Sequence, residues 1–378
     1  MRFLHTSDWH IGRKFHQVDL LSDQAAFFDW LIEVVRQEKV DCVLVAGDVF
    51  DRSNPATDAV DLADDIFSRL IALGAAVVVI SGNHDSAERL NFGSKAMASA
   101  GLHISTERPD LTLVASPITI ERNGESVQVL PIPYLDPQRL LNTLGAAKKH
   151  HDVIEAVVKH HIGSLKNPAQ SIAMAHAFVA GSAESESERQ INVGGTANVS
   201  HTVFDGLGYV ALGHLHRPQK AGREEVVYSG TPLAYSFSEE HKKFVRIIDT
   251  ANNMTATDIE VEVGRAVRTL KGTLSELLTS SDFVSAESVF VRAHLTDENV
   301  QLGAMDQLRK RFPFALAMDQ IALKKQESMH RNSENGTARK PGEIVDQYLQ
   351  ETFGDDLTDT GRDFVFGVVN GVLSGGAE

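Results

Sequence analysis

The first ninety residues alternate short apolar runs with stretches whose apolar residues recur at helical spacing. Strands are predicted at residues 2–6, 41–46 and 75–80, and the last two are rich in β-branched residues, as buried parallel strands are. Between these runs, apolar side chains recur three or four positions apart, at 27, 28, 31, 32 and 35 and at 62, 66 and 70, which indicates two helices. This β-α-β-α-β order predicts a parallel sheet with right-handed crossovers.

From about residue 111 onwards, strand-like runs predominate. They are predicted at residues 127–131, 171–175, 209–212, 226–229 and 244–249. A helical stretch at residues 137–165 separates the first two of them. Residues 183–189 and 194–198 are polar and rich in serine or glycine, which is typical of surface loops.

After residue 263 the pattern becomes that of a small α+β domain. Strands are predicted at 266–270, 288–296 and 314–322, and helices at 274–278 and 301–311. Residues 325–342 are polar and uneven, as linkers are. Two short amphipathic helices are predicted to close the chain. We therefore predict four segments, with the bounds 1–263, 264–324, 325–342 and 343–378.

Composition narrows the class of protein. The chain has 378 residues, with 36 Lys and Arg against 51 Asp and Glu, so its net charge of −15 argues against a protein that simply coats DNA. The one cysteine, Cys42, lies in an apolar run and is predicted to be a small buried hydrophobe. The uncharged apolar run at residues 70–83 is too short to span a bilayer, which needs about 20 residues. We therefore expect a cytoplasmic protein without a membrane partner.

Four short motifs of Asp, His and Asn follow predicted strands. They are Asp8-Trp9-His10, Gly47-Asp48-Val49-Phe50-Asp51, Gly82-Asn83-His84-Asp85 and Gly213-His214-Leu215-His216, and His176 ends a further strand. Ligands bind at the carboxyl ends of strands in open α/β sheets, so these distant residues should converge on one edge. The alternative is a set of caps and turns with buried, hydrogen-bonded histidines.

The types of these side chains predict a metal site. Oxygen and nitrogen ligands without thiolate suit Mn²⁺, Fe or Zn²⁺, and there are enough of them for two ions about 3.5–4 Å apart, which is the arrangement that promotes in-line displacement at phosphorus. Two divalent ions bring +4, and Asp8 and Asp48 bring −2, so a surplus of about +2 would attract a phosphate despite the acidic chain.

This ordered set of motifs resembles that of the calcineurin-like metallophosphoesterases. Within that superfamily, the chain is most similar to the SbcD family, the nuclease subunits of bacterial SbcCD complexes. The similarity lies in residues 2–12 (RFLHTSDWHIG), 45–51 (VAGDVFD), 81–86 (SGNHDS) and 228–232 (YSGTP) with Ser236 and Phe237. It is strong over residues 1–250, whereas the rest of the chain is similar in layout only.

The resemblance implies a fold, a metal centre and an activity. The fold is a β-sandwich flanked by helices, with a small capping domain that binds DNA. One metal ion would be held by Asp8, His10, Asp48 and His216, and the second by Asp48, Asn83, His176 and His214. His84 would act on the leaving oxygen as a catalytic residue, and Asp51 would orient the other ring nitrogen of His84. The ions would be Mn²⁺.

The implied activity is that of a DNA nuclease in repair and recombination, acting as an exonuclease on duplex ends and an endonuclease on single strands or hairpins. The C-terminal helices would bind an SMC-like ATPase of the SbcC type in a heterotetramer. The chain itself would form a homodimer, and it would be associated with the nucleoid in the cytoplasm. Two alternatives stay open: a phosphodiesterase for small nucleotides, and a structural subunit that tethers DNA ends.

Two further groups of charged residues have competing interpretations. Arg13 and His16 follow the first motif, where they could contact DNA phosphates or simply form an ordinary surface loop. Glu184, Glu186 and Glu188 alternate with serines, which predicts a solvated loop.

Overall fold

The computed structural model describes residues 1–108, 115–136, 149–188 and 198–320. The strands are β1 (Arg2–Thr6), β2 (Lys14–Phe15), β3 (Val18–Asp19), β4 (Cys42–Ala46), β5 (Ala76–Ile80), β6 (Leu102–Ser105), β7 (Ile118–Arg122), β8 (Glu125–Ile132), β9 (Ile172–His176), β10 (Tyr209–Gly213), β11 (Gln219–Ala221), β12 (Arg223–Tyr228), β13 (Phe244–Asp249), β14 (Thr255–Glu260), β15 (Val267–Gly272), β16 (Phe290–Leu295) and β17 (Ala315–Gln320). The α-helices are α1 (Leu21–Gln37), α2 (Thr57–Ala72), α3 (Ala87–Leu90), α4 (Ser94–Ala98), α5 (His150–Ile162), α6 (Leu274–Thr279) and α7 (Ala304–Arg311). Within these described ranges, no helix has the length and apolar character needed to cross a membrane.

Two six-stranded sheets form the body of the protein. The first has the order β14-β13-β1-β4-β5-β6, in which β1, β4, β5 and β6 run parallel, β13 pairs antiparallel with β1, and β14 pairs antiparallel with β13. The second has the order β11-β12-β10-β9-β8-β7, with a parallel centre made of β8, β9, β10 and β12. The predicted α/β fold and the parallel pairing of the first three predicted strands are confirmed.

Alternating side chains divide each central strand between two cores. From β4, Cys42 and Leu44 point into a core shared with the second sheet, where they join Met174 and Val227. Val43 points the other way, into a core built with helices α1 and α2. The second sheet covers its own outer face with α5. Both faces of each sheet are therefore buried in a helix-sheet-sheet-helix sandwich, which is why the central strands are continuous apolar runs.

The strands at the edges of the two large sheets are missing from the sequence prediction. They are β6, β7, β11 and β14. An edge strand is covered on fewer sides, and the residues of β14 are all exposed or half-buried, with no apolar run for the pattern to detect. The predicted helix at 137–165 is confirmed over His150–Ile162, whereas residues 137–148 lie outside the described residues.

A third sheet, with the order β15-β16-β17, follows the sandwich and carries α6 and α7. Its Val267 and Phe290 join the core formed by the first sheet and its helices. Among the described residues, Met1–His294 and Gly303–Asp319 form one compact unit, to which Leu295–Leu302 do not belong. Residues 321–378, which include the predicted linker and closing helices, lie outside the described residues, so the predicted segment bounds stay a prediction.

Cys42 is a buried core residue, as its apolar neighbours predict. Its side chain is fully inaccessible on β4, and burial raises the pKa of its thiol far above the ordinary value. The thiolate is the reactive form of cysteine, so this residue should be inert in the native protein.

We therefore predict that iodoacetamide leaves the native protein unmodified and adds one carbamidomethyl group per chain after denaturation. Mass spectrometry of native and denatured samples measures this directly, because the chain has only one cysteine. Complete modification of the native protein within the time needed for an exposed thiol would contradict the buried position of Cys42.

Candidate metal centre

The loops that follow β1, β4, β5 and β10 meet at one edge of the two sheets and are joined by main-chain hydrogen bonds. The amide of Asp8 donates to the carbonyl of Gly47 (3.0 Å), and that of His10 donates to the carbonyl of Asp48 (2.9 Å). The amide of His214, which belongs to the second sheet, donates to the Asp8 carboxylate at 3.1 Å. The predicted convergence of the motifs on one edge is confirmed.

Asp85 connects the loop that follows β4 to the loop that follows β5. Its carboxylate accepts hydrogen bonds from the amides of Val49 (3.1 Å), Phe50 (2.9 Å) and Gly82 (2.9 Å). The motif that contributes Asn83 is thereby tied to the motif that contributes Asp48. Asp85 therefore acts as a brace between the loops, with its oxygens directed at main-chain donors.

The backbone is strained at the residues that carry the metal-binding side chains. Positive φ angles occur at Asp8 (53°), His10 (45°), Asp48 (52°) and His214 (103°). Each such conformation costs about 1–3 kcal/mol in a non-glycine residue and persists only where the surroundings impose it. The hydrogen bonds between the loops supply that constraint here, and strain of this kind concentrates at functional sites.

Glycines in the motifs leave room for the side chains of neighbouring motifs. A Cβ at Gly82 would lie 2.0 Å from Oδ1 of Asp48, and one at Gly47 would lie 2.2 Å from Nδ1 of His176. A Cβ at Gly213 would lie 1.9 Å from the carbonyl oxygen of Ala46. Each motif therefore needs its glycine for close approach, which explains why Asp48, Asn83 and His214 each follow one.

The first cluster of candidate ligands contains Asp8, His10 and His216. Their ligand atoms lie within 4.8 Å of one another, and all three side chains are buried. Nε2 of His10 is 3.3 Å from Nε2 of His216 and 3.6 Å from Oδ2 of Asp48. Together with Asp48, these three are the residues predicted for the first ion.

The second cluster contains Asp48, Asn83, His176 and His214. Nε2 of His176 lies 3.5 Å from Oδ2 of Asp48 and 3.0 Å from Oδ1 of Asn83. Nδ1 of His214 lies 3.2 Å from the same Asn83 oxygen. Oδ2 of Asp48 is thus within 3.6 Å of a histidine from each cluster, which is the position required of a bridging carboxylate.

The chemistry of this donor set fits metal ions. Nδ1 of His176 donates to the carbonyl of Ala46 at 2.9 Å, so in the neutral ring Nε2 carries the lone pair and faces Asp48 and Asn83. A metal-binding histidine usually donates its other ring N–H to a carboxylate, a main-chain carbonyl or water, as His176 does here. The Asn83 oxygen and the Asp48 carboxylate likewise point acceptor atoms at the same place. Converging lone pairs repel one another unless a proton or a metal ion lies between them.

The two buried carboxylates have opposite pKa shifts. Burial raises the pKa of Asp8 to about 6, although His176 and His216 oppose the shift. Burial also acts to raise the pKa of Asp48, but His176, His10 and His84 outweigh it and hold the pKa well below its ordinary value. In turn, Asp48 raises the pKa of His176 to about 9 against the effect of burial. The bridging position is therefore occupied by an ionised carboxylate.

His84 lies at the margin of the cluster, but its support differs from the prediction. Its Nδ1 donates to the main-chain carbonyl of Asp51 at 2.8 Å, whereas the expected partner is the Asp51 carboxylate. That carboxylate instead binds Arg13 at 2.9 Å and lies 3.7 Å from Nδ1 of His10. The prediction that the Asp51 side chain orients His84 is therefore wrong, because the loop turns the carboxylate towards the guanidinium.

The two predicted phosphate contacts have different surroundings. Arg13 is largely buried, with its guanidinium bound to Asp51 and lying 5.1 Å from the ring centroid of Tyr235. His16 is exposed and packs edge-on against Phe15. Arg13 also lines an open groove of about 760 Å³ beside His84. Their contact with DNA stays a prediction, with His16 the more accessible of the two.

Several supporting residues escape sequence analysis. The Gln24 amide of helix α1 donates to the carbonyls of Trp9 (3.0 Å) and His10 (2.8 Å), which fixes the first motif. Glu188 accepts from the amide of His216 at 2.7 Å, so the predicted solvated loop is wrong for this residue, although Glu184 and Glu186 are exposed. Only a polar residue on the apolar face of a predicted helix could have indicated Gln24.

Comparison with known proteins identifies the family. The model of the calcineurin-like phosphoesterases matches residues 1–218, more than half of the chain. The chain belongs to this family. Among solved structures, it is similar to the protein TT1561 of Thermus thermophilus, with 11% identity, 69% of this chain and 99% of the other covered, and a TM-score of 0.41. It is also similar to a dimetal phosphatase from Danio rerio, with 11% identity, 69% and 98% covered, and a TM-score of 0.39.

Membership in the calcineurin-like phosphoesterases makes the chain a metal-dependent phosphoester hydrolase. The clustered aspartates, histidines and Asn83 suit two divalent ions, with Asp48 shared between them. Because each cluster combines ligands that follow strands of both sheets, the centre forms only where the sandwich has closed.

Gly82→Ala tests whether close packing around Asp48 builds this centre. The added methyl group would collide with the Asp48 side chain and main chain, so we predict a loss of about 1–3 kcal/mol in the free energy of unfolding and weaker Mn²⁺ binding. Gly163→Ala is the matched control, because a Cβ there meets nothing within 4 Å. Chemical denaturation and calorimetric titration measure both effects, and wild-type stability and affinity in the Gly82 variant would refute this account.

Proposed function

We propose that the chain is the Mn²⁺-dependent DNA nuclease subunit of an SbcCD-type complex, which hydrolyses phosphodiesters at DNA ends and hairpins in repair and recombination. The observation that carries the proposal is the groove beside His84. It is lined by Arg13, Lys14 and Arg52 together with Ser53, Asn54 and the Asn83–Asp85 motif. Cations placed next to the candidate ligands suit a substrate with phosphates on both sides of the reacting one.

The charges in this groove favour a polyanion although the chain as a whole is acidic. Asp51 is paired with Arg13, and Asp85 is occupied by three main-chain amides. Nε of Arg52 lies 3.7 Å from Oδ2 of Asp51, but the side chain is 78% exposed, so the rest of its guanidinium is open to an incoming phosphate. Lys14 is also exposed. The local surface is therefore cationic where the neighbouring phosphates of a nucleic acid strand would lie.

The residues of the centre divide the chemical work. When bound, two divalent ions would activate a water molecule and neutralise the charge that develops on the phosphate. Asp8, His10, Asp48 and His216 would hold one ion, and Asp48, Asn83, His176 and His214 the other. His84 donates its Nδ1 proton to the Asp51 carbonyl in a hydrogen bond, which leaves Nε2 to serve the leaving oxygen as a proton donor or a hydrogen-bond donor when protonated.

The identity of the metal and the partners are part of the same proposal. Carboxylate, amide and imidazole donors without thiolate suit Mn²⁺. The segment 343–378 would bind the SbcC-type ATPase, and the segment 264–324 would act as the capping domain that guides DNA. We expect a homodimer of this chain within a heterotetramer that works on DNA in the cytoplasm.

Truncation at Pro341 should abolish co-purification with the ATPase and leave metal binding intact.

Hydrolysis of a small nucleotide is the competing function. A groove of about 760 Å³ also falls within the range of small-molecule sites, about 300–1,000 Å³. A third possibility is a mainly structural role in tethering DNA ends, with little cleavage. The three functions differ in which substrate is consumed, so one assay separates them.

His84→Gln is predicted to slow the release of nucleotides from end-labelled duplex DNA by about 10²–10⁴-fold while leaving Mn²⁺ affinity unchanged. His103→Gln is the control, because that histidine lies on β6, outside the ligand clusters. The assay uses the chain with Mn²⁺, alone and with the ATPase and ATP.

Two outcomes would contradict the proposal in different ways. If no DNA is cleaved under any condition while a small phosphodiester is hydrolysed, the nuclease proposal fails and small-nucleotide hydrolysis replaces it. If His84→Gln cleaves DNA at the wild-type rate, the role given to His84 fails, although the nuclease proposal survives.

A further inference from the structure

Glu239 is a buried carboxylate that lies beside the candidate ligands but belongs to none of the motifs. It precedes β13, and its side chain is fully inaccessible. A buried carboxylate is costly unless cations and hydrogen-bond donors surround it. The partners of Glu239 therefore show what it does.

One oxygen of Glu239 faces a buried cation. Oε2 forms an ion pair with Nζ of Lys243, which is 9% exposed, and accepts from the hydroxyl of Thr231 at 3.1 Å. Glu239 is therefore ionised, and both of its oxygens can only accept hydrogen bonds.

The other oxygen faces His216. Oε1 of Glu239 lies 3.2 Å from Nδ1 of His216 and accepts the hydroxyl proton of Ser187. Oγ of Ser187 lies 2.6 Å from the same His216 nitrogen. Because the Ser187 proton is committed to the carboxylate, its oxygen can only accept from His216. Both contacts therefore require the proton of His216 to be on Nδ1.

This proton position determines what the other side of the ring offers. With Nδ1 protonated, Nε2 of His216 carries a lone pair, and it points at the cluster, 3.3 Å from Nε2 of His10. The main chain of His216 is fixed as well, since its amide donates to Glu188 (2.7 Å) and its carbonyl accepts from the amide of Thr231 (3.1 Å).

We propose that Glu239 is a positioning residue that holds His216, directly and through Ser187, in the tautomer whose Nε2 binds the metal ion shared with Asp8 and His10. The proposal rests on the proposed role of His216 as a ligand and is independent of which phosphoester is cleaved. Lys243 binds the opposite oxygen of the carboxylate, which leaves Oε1 facing the ring.

The first test is the tautomer of His216 in the metal-free wild-type protein. Long-range ¹H–¹⁵N correlation spectra, recorded above the ordinary pKa of imidazole, locate the ring proton. The His216 signals are assigned by their loss in His216→Gln. We expect the proton on Nδ1, and a proton on Nε2 overturns the proposal without any need for a Glu239 variant to fold.

The second test uses Glu239→Gln. Lys243 and Thr231 both donate to the position of Oε2, so the amide must place its oxygen there and its NH₂ group towards His216. That group donates to Nδ1 and moves the ring proton to Nε2. We therefore expect a reversed tautomer and a loss of about 10–100-fold in Mn²⁺ affinity by calorimetry. An unchanged tautomer and affinity in the folded variant overturns the proposal.

Two controls separate this effect from general disturbance. Glu240→Gln removes the same charge one residue away, from an exposed side chain that binds the amide of Thr269, and should retain the wild-type tautomer and affinity. Ser187→Ala keeps the direct 3.2 Å contact of Glu239 with His216, so its loss of affinity should be the smaller one. A larger loss in Ser187→Ala than in Glu239→Gln overturns the assignment to Glu239.

These measurements test the role of Glu239 separately from the existence of the metal centre. If wild-type protein binds no Mn²⁺, the proposed centre fails, while the spectra still decide whether Glu239 sets the tautomer of His216. If wild-type protein binds Mn²⁺ and Glu239→Gln binds it with the same affinity, the metal centre stands and the role of Glu239 is refuted.

Discussion

The hydrogen bond between Nδ1 of His176 and the carbonyl of Ala46, 2.9 Å long, is the contact on which the whole centre depends. Ala46 ends β4 in the first sheet, and His176 ends β9 in the second. The bond therefore fixes the distance between the two sheets at the edge where every candidate ligand lies. It also sets the tautomer of His176, so that Nε2 faces Asp48 and Asn83.

The need for this contact explains much of the surrounding sequence. Gly47 and Gly213 are the residues next to it, and a Cβ at either would collide with the His176 ring or with the Ala46 carbonyl. Alternate apolar side chains of β4 and β9 pack in the shared core between the two sheets, which holds the sheets together. Packing energy from the sandwich thus compensates for the strained φ angles at Asp8 and Asp48. A centre of this kind can be rigid only because its support lies in the core.

The central strands and the metal motifs could be predicted from the sequence, because both leave a local pattern. Continuous apolar runs identify β4, β5, β9 and β10, and a glycine followed by Asp, Asn or His directly after such a run identifies the ligands. The supporting contacts leave no such pattern. The Asp51 main-chain carbonyl holds His84, and a carbonyl is present at every residue, so the sequence favours the side chain incorrectly.

Glu188 and Glu239 illustrate the same limit. Each lies in a polar segment whose composition is that of a solvated loop, yet each points a carboxylate at His216. They differ from the exposed Glu184 and Glu240 because the tertiary fold places the Gly213–His216 motif of the second sheet beside them. Sequence analysis therefore finds the atoms that would contact metal and misses those that hold them in place.

Asp48 is expected to lie between two metal ions, one for each cluster. Anomalous diffraction from crystals soaked in Mn²⁺ locates such ions. We expect two peaks about 3.5–4 Å apart, one beside Asp8, His10 and His216 and the other beside Asn83, His176 and His214, with the Asp48 carboxylate contacting both. A single peak, or two peaks that do not share Asp48, would contradict this expectation.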